Sequence, residues 1–217
     1  MGEQTQVTSS YKKIELKLLN VLDDIVSFSC HPQHFAVGFV DIVNSTNITA
    51  KLSLENASLY YSTFLNSMSV IVKECGGIIV KNIGDGLMFC FQERHPSSDK
   101  QIFANMLECG FNMIAAHKVI NERILHFELP ELNYRVSVDY GSIMEADSKT
   151  SFNKDLFGSP VNTCYKINNL AYPNTMVVGQ NFYKQALSIK EYNLQKINTC
   201  ILLAKERYDV YEVQRIT

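Results

Sequence analysis

Blocks of continuous apolar residues alternate with amphipathic stretches along most of this chain. The run Phe35–Val43, F-A-V-G-F-V-D-I-V, contains a single charged residue and predicts a strand that is buried in a sheet. The stretch after Asn44 carries apolar residues at helical spacing and predicts a long amphipathic helix to about Cys75, where two glycines end it. An earlier apolar stripe predicts a helix over residues 9–29.

Gly84 and Gly86 lie between two further apolar runs and predict a β-hairpin. The remaining patterns predict, in order, a helix over 99–125, a strand over 133–141, a polar loop over 146–154, a helix to about residue 170, a short strand, a short helix near 180–187 and two closing strands. This order is that of a ferredoxin-like βαββαβ fold, of the α/β (α+β) class, with extra C-terminal strands. We therefore divide the chain into an N-terminal helical extension and linker, 1–33, and one domain, 34–217.

Composition places the chain among ordinary globular proteins. Of its 217 residues, 46% are hydrophobic and 19% are charged, and the formal net charge of −2 gives no strong field for nucleic acid. No apolar run approaches the roughly 20 residues that cross a bilayer, and the polar start lacks the form of a signal peptide. The six cysteines occur singly, which favours reduced thiols. These observations predict a cytoplasmic protein with neither nucleic acid nor membrane as a partner.

Asp41 is the charged residue of the buried strand Phe35–Val43. A carboxylate there is unfavourable unless another group compensates its charge. The strand-to-helix turn that follows, Ile42–Thr46, would present backbone N–H groups that favour an anion; its members are Ile42, Val43, Asn44, Ser45 and Thr46. One interpretation is a site for a metal-bound triphosphate. The alternative is that Asp41 caps the helix or ends the strand.

Asp85 lies at the tip of the predicted hairpin, in K-N-I-G-D-G. In a βαββαβ sheet the first strand and the hairpin strands are neighbours, so Asp85 and Asp41 can meet at one edge. Two carboxylates at one edge repel each other and must share a proton or a cation. Oxygen ligands favour Mg²⁺ or Mn²⁺. The alternative is that Asp85 is only a turn residue before a glycine.

Four motifs together resemble class III nucleotidyl cyclases over about Phe35–Tyr211. They are F-V-D-I-V-N-S-T, K-N-I-G-D-G-L-M-F-C-F, Y-R-V-S-V-D-Y-G and D-L-F-G-S-P-V-N. The resemblance implies a phosphorus–oxygen lyase that works as a homodimer, with active sites at the interface and two Mg²⁺ or Mn²⁺ ions per site. It also implies ATP as the substrate, with cyclic AMP and pyrophosphate as the products.

The resemblance assigns roles by position. Asp41 and Asp85 would hold the metals. Lys81 and Asp155 would contact the base, and this combination resembles the pair that selects adenine. In the family's dimers the metal aspartates come from one chain and the base-reading pair from the other.

Three further positions concern the ribose and the phosphates. Arg135 matches an arginine that contacts the triphosphate, and Asn162 matches the asparagine that orients the ribose. Lys166 occupies the position of the family's transition-state arginine; it keeps the charge but lacks the planar fork. A phosphate-binding lysine of the family would fall at Leu202, and Lys205 is the nearest candidate, out of register.

Several alternatives remain open from the sequence. A cyclase specific for GTP or for a pyrimidine triphosphate is one rival of the adenylate cyclase. A cyclase-like domain that binds a nucleotide or a partner without catalysis is another, and the lysine at position 166 favours it. The N-terminal helix either docks a partner or a second copy, or packs on its own domain.

Overall fold

The computed structural model describes residues 11–18, 26–29, 31, 33–93, 100–148, 154–201 and 207–216. The helices are α1 (11–18), α2 (Ser45–Thr49), α3 (Leu54–Glu74), α4 (Gln101–Ala115), α5 (His117–His126), α6 (Ser159–Asn168) and α7 (Gln180–Ala186). The strands are β1 (Val26–Phe28), β2 (Gln33–Ile42), β3 (Ile78–Ile83), β4 (Gly86–Gln92), β5 (Tyr134–Ser148), β6 (Asp155–Phe157), β7 (Met176–Gly179), β8 (Tyr192–Ile201) and β9 (Arg207–Arg215).

The strands form one sheet in the order β3-β4-β2-β5-β7-β9-β8. Its first four strands are antiparallel to one another and have the order of a ferredoxin-like βαββαβ unit, which confirms the predicted fold class. Strand β7 continues the sheet parallel to β5, and the β8–β9 pair closes it. The short strands β1 and β6 both pair with the C-terminal half of β5.

Helices cover both faces of the sheet, so successive residues of the central strand β2 enter different cores. Val40 packs with Phe64 of α3 in the larger core, on the face that α4, α5 and α7 also cover. Val37 packs with Cys164 of α6 in the smaller core on the other face. Because side chains alternate along a strand, Asp41 lies on the same face as Val37 and α6.

The N-terminal prediction is partly wrong. Residues 26–28, expected in a helix, form β1 and pair with β5, with Phe28 opposite Ala146. Phe28 also packs edge-to-face on Phe157 of β6, and this contact supports the extended conformation. Residues 9, 10 and 19–25 of the predicted helix lie outside the described residues. All eight residues of α1 are exposed, so this part of the helix is not packed on the domain.

Two predicted helices are each divided in two. The helix expected to run from position 44 to about 75 is interrupted before Ser53, whose extended backbone and side chain cap α3 by accepting the Asn56 N–H at 3.2 Å. The helix expected over 99–125 is interrupted at Ala116, between α4 and α5.

The loop predicted over 146–154 is wrong at its N-terminal end. Residues 146–148 extend β5, because β1 and β6 provide pairing partners there that the local pattern does not reveal. Residue 154 has no regular secondary structure, and Asp155 follows it as the first residue of β6. Within the described ranges no helix is both long and apolar enough to cross a membrane.

Candidate active site

Asp41 and Asp85 meet where β2 ends beside the β3–β4 hairpin. The β2–β4 register places Asp41 opposite Gly86, and Ile83 pairs with Gly86 across a two-residue turn. A Cβ atom at Gly86 would lie 2.9 Å from the Val40 carbonyl oxygen and 3.2 Å from Asp41 Oδ1, so the glycine lets the hairpin approach Asp41 closely. The sequence prediction that these two aspartates become neighbours is therefore matched by the sheet order.

Electrostatics couple the two carboxylates to Arg135. Burial raises the pKa of Asp41 above its ordinary value of 3.8, and the negative charge of Asp85 raises it further. The charge of Arg135 and its hydrogen bond oppose both effects. Arg135 lies opposite Asp41 in the β2–β5 register, and its Nη2 is 3.5 Å from Asp41 Oδ2. Its Nε atom is buried and has no hydrogen-bond partner within the described residues.

These three side chains line a cavity of about 490 Å³. The strand-to-helix turn forms part of its wall through Ile42, Asn44, Ser45 and Thr46. Asn44 makes the turn possible because it adopts a left-handed conformation, with φ of 57°, which asparagine tolerates better than most residues. Val43 does not line the cavity. Its N–H donates to the Asn133 carbonyl at 2.8 Å and is unavailable to an anion, which corrects the expectation for this residue.

The donor atoms fit a hard divalent cation. Asp41 and Asp85 provide carboxylate oxygens, the ligand type that Mg²⁺ and Mn²⁺ prefer. Within the described ranges no group of three or more histidine, cysteine, aspartate or glutamate side chains could hold a metal. Two protein carboxylates therefore suit an ion that takes its other ligands from phosphates, water or backbone carbonyls, as Mg²⁺ commonly does.

Lys81 and Asp155 form an ion pair away from this cavity. Lys81 Nζ donates to Asp155 Oδ1 at 2.6 Å, joining β3 to β6. Their side chains remain 45% and 43% exposed, so both can still reach a ligand. The structure thus brings together the two residues that the family resemblance assigns to base recognition. Within one chain it does not bring them to Asp41 and Asp85. Neither residue lines the cavity of the two aspartates.

Asn162 and Lys166 lie on one face of α6 and line a second cavity, of about 660 Å³. The helix is fixed to β5 through buried polar contacts: Ser137 Oγ donates to the Cys164 carbonyl at 2.9 Å, and Asn168 Nδ2 donates to Ser137 Oγ at 3.2 Å. The two cavities share no lining residue. Within one chain, Asn162 and Lys166 are therefore not brought together with the aspartates.

Sequence reasoning missed residues in both cavities. Tyr165 of α6 lines the first, and Lys184 and Arg207 line the second. A helical wheel of α6 could have indicated Tyr165, but the placement of Lys184 and Arg207 depends on how α7 and β9 pack. The predicted candidates at positions 202 and 205 lie outside the described residues.

Comparison with known proteins identifies similar sequences and folds. The family model described as adenylate and guanylate cyclase catalytic domain matches residues 30–215. A curated adenylate cyclase of Streptomyces coelicolor is 22% identical over 160 residues, which cover 73% of this chain and 36% of that protein. The chain thus matches only about a third of this relative.

Two crystal structures share the fold. The adenylyl cyclase CyaB from P. aeruginosa superposes with a TM-score of 0.78 at 18% identity, covering 88% of this chain and 97% of that one. The guanylyl cyclase Cya2 superposes with a TM-score of 0.77 at 17% identity, covering 86% and 94%. Because one is an adenylyl and the other a guanylyl cyclase, the fold alone does not determine the base.

Proposed function

Because this chain belongs to the family of adenylate and guanylate cyclase catalytic domains, we propose that it converts ATP to cyclic AMP and pyrophosphate. The observation that carries the proposal is the cavity in which Asp41, Asp85 and Arg135 converge. It combines oxygen ligands for divalent cations with a guanidinium group that suits phosphate.

Asp41 and Asp85 would hold the Mg²⁺ or Mn²⁺ ions, two per active site. When bound, such ions lower the pKa of the ribose 3′-hydroxyl and offset the negative charge at the α-phosphate. Gly86 keeps the space beside Asp41 open, because any side chain there would meet the Asp41 carboxylate.

The other residues position the nucleotide. Arg135 orients the triphosphate through its guanidinium group, Asn162 orients the ribose, and Lys166 offsets charge in the transition state. The 3′-oxygen loses its proton to solvent water and forms a bond to the α-phosphorus, while the bond from that phosphorus to the bridging oxygen breaks and pyrophosphate leaves. Among the described residues, no histidine lines either cavity.

The preference for adenine is proposed from Lys81 and Asp155. Lysine only donates hydrogen bonds and a carboxylate only accepts them, so the pair matches a ring nitrogen acceptor beside an exocyclic amino group. Adenine presents that combination, and cytosine presents a similar one on a smaller ring. Guanine presents a carbonyl acceptor and a ring N–H donor in the reverse order. The three bases must therefore be compared directly.

We propose a homodimer because the required side chains occupy separate places on one chain. The first cavity, which Asp41 lines, and the second cavity, which Asn162 lines, share no residue among those described, and the Lys81–Asp155 pair lines neither. A second copy could bring its Asn162, Lys166 and Lys81 to the aspartates of the first. The proposed location is the cytoplasm, which four free cysteines among the described residues support.

The principal test is incubation of the purified protein with Mn²⁺ and, separately, ATP, GTP, CTP and UTP, with detection of the 3′,5′-cyclic product and pyrophosphate. We expect cyclic AMP as the main product and its loss in Asp41→Ala. Asp147→Ala, an exposed aspartate on β5 that lines neither cavity, is the matched control and should keep full activity. A fully active Asp41→Ala protein would overturn the metal assignment.

A mixing experiment tests the dimer. Asp41→Ala and Asn162→Ala should each be inactive, but their mixture should regain about a quarter of the wild-type activity, since half of the pairs are mixed and each mixed pair has one intact site. If each active site were formed within one chain, the mixture would remain inactive.

A second candidate function is a non-catalytic nucleotide sensor. Lys166 favours it, because lysine lacks the bidentate fork expected at this position. Tight binding of ATP without a cyclic product from any of the four nucleotides would support the sensor and reject the enzyme.

A further inference from the structure

The second cavity is surrounded by three cationic side chains on three different elements. Lys166 lies on α6, Lys184 on α7 and Arg207 at the start of β9, and all three line the same space of about 660 Å³. In the part of the chain that the structure describes, none of the three has a carboxylate within ion-pair distance. The amide side chains of Asn162 and Asn181 also line the cavity, so its wall offers both charge and hydrogen-bond donors.

The nearby acidic groups are already engaged. Asp209 accepts from Lys196 at 2.8 Å and from Thr199 at 2.7 Å, and these two hydrogen bonds are the main causes that lower its pKa. Among the causes that shift the pKa of Asp209, the charge of Arg207 is the smallest. Three cations without a close counter-ion around one open cavity indicate a binding site for a polyanion.

A buried link holds α7 and β9 together beside this cavity. The Tyr208 hydroxyl accepts the backbone N–H of Asn181 at 2.9 Å and lies 2.8 Å from Asp139 Oδ1, to which it donates. Asn181 begins the turn of helix that carries Lys184, and Tyr208 directly follows Arg207. The two cations therefore stand on backbone segments that are fixed relative to each other and to β5.

We infer that Lys184 and Arg207 bind the β- and γ-phosphates of the nucleoside triphosphate. The inference rests on the proposed function and on the three cationic side chains that line one cavity. Asn162 and Lys166 approach the ribose and the α-phosphate from the same cavity wall. Lys184 and Arg207 extend the positive charge of that wall to two further elements, which matches the spread of charge along a triphosphate.

The test compares Lys184→Ala, Arg207→Ala and the double variant with two controls, Lys118→Ala and Arg123→Ala, which remove exposed cations of α5 outside both cavities. Binding of inorganic triphosphate to the 217-residue chain is measured by calorimetry, and initial rates are measured with Mn²⁺ and ATP. Each single variant should weaken triphosphate binding and raise KM for ATP by about tenfold, because each loses a charge-assisted hydrogen bond. Lys184→Arg and Arg207→Lys should recover most of the loss, and the controls should match wild type.

The two readouts separate this inference from the proposed function. If the wild-type protein makes cyclic AMP and the alanine variants keep the wild-type KM and triphosphate affinity, the inference is wrong and the function stands. If no cyclic product forms but triphosphate binding still depends on both residues, the anion site stands and the enzyme is rejected. The alanine variants could also lose affinity and show an altered melting temperature that Lys184→Arg and Arg207→Lys do not restore. That result would indicate a folding defect and would count against phosphate binding by Lys184 and Arg207.

Discussion

Asp139 should make the stability of the protein fall as the pH rises towards neutrality. It lies on β5 with 1% of its surface exposed, and its two carboxylate oxygens are 2.8 and 2.9 Å from the Tyr208 hydroxyl. Burial raises its pKa from 3.8 to about 7, although hydrogen bonds from Tyr208 and from the backbone N–H groups of Tyr140 and Phe182 act in the opposite direction. The folded protein therefore holds a proton that the unfolded chain has released.

The size and sign of the effect follow from this pKa. Each pKa unit corresponds to about 1.4 kcal/mol, so the difference between 3.8 and about 7 amounts to roughly 4 kcal/mol. Between these two pH values the native state binds more protons than the unfolded state. The free energy of unfolding should therefore decrease by up to about this amount as the pH rises from roughly 4 to 7, and the contribution of Asp139 should be constant above that range. This is a large part of the 5–15 kcal/mol typical of a domain.

Urea unfolding of the wild type and of Asp139→Asn at a series of pH values measures the effect. Asparagine keeps an oxygen that can accept from Tyr208 but does not titrate, so the difference between the two proteins isolates Asp139 from Asp41, whose pKa is also raised by burial. Burial raises the pKa of both Tyr208 and Cys164, so these neighbours stay neutral throughout the window.

A second variant keeps the test independent of the asparagine substitution. Tyr208→Phe removes a hydrogen bond that favours the charged carboxylate, so the decrease in stability should move to higher pH. A wild-type minus Asp139→Asn difference that is flat between pH 4 and 8 would refute the reasoning. A difference of opposite slope would show that hydrogen bonding outweighs burial.

Three further predictions concern selectivity, turnover and packing. Lys81→Glu should reduce the preference for ATP over GTP about tenfold in kcat/KM at an unchanged melting temperature, because the exposed pair with Asp155 is worth less than about 1 kcal/mol; an unchanged preference would count against base recognition. Lys166→Arg should raise kcat for ATP about tenfold, since arginine adds the planar fork, and an equal or lower kcat would argue that this position does not act on the transition state. Gly38→Ala should lower the free energy of unfolding by about 1–3 kcal/mol, because its Cβ would lie 2.3 Å from the buried ring of Phe89, and unaltered urea unfolding would contradict this.

The sequence predicted those parts of the site that depend on strand order. Asp41 and Asp85 were expected to meet because the first strand of a βαββαβ unit pairs with the hairpin, and the β2–β4 register does place Asp41 opposite Gly86. The two glycines of the hairpin also indicated the turn correctly, and Gly84 adopts a positive φ of 60° there.

Features that depend on tertiary packing could not be predicted from the sequence. Val43 was expected to offer its N–H to an anion, but the Asn133 carbonyl accepts that N–H instead. The C-terminal end of β5 could not be predicted locally, because β1 and β6 pair with it from other parts of the chain. Lys184 and Arg207 form no recognisable motif, and only the packing of α7 beside β9 brings them to one cavity.

Helix α6 and the β3–β4 hairpin each hold candidate site residues in two separate places, so each would contribute to both active sites of the proposed dimer. Helix α6 lines the second cavity with Asn162 and Lys166 and the first with Tyr165. The β3–β4 hairpin places Asp85 in the first cavity, while Lys81 pairs with Asp155 outside it. In a symmetric dimer whose sites combine the first cavity of one chain with the second of its partner, α6 and the hairpin would each contribute to both sites. A shift of either element on nucleotide binding at one site would then alter the other, because packed elements move as units rather than residue by residue.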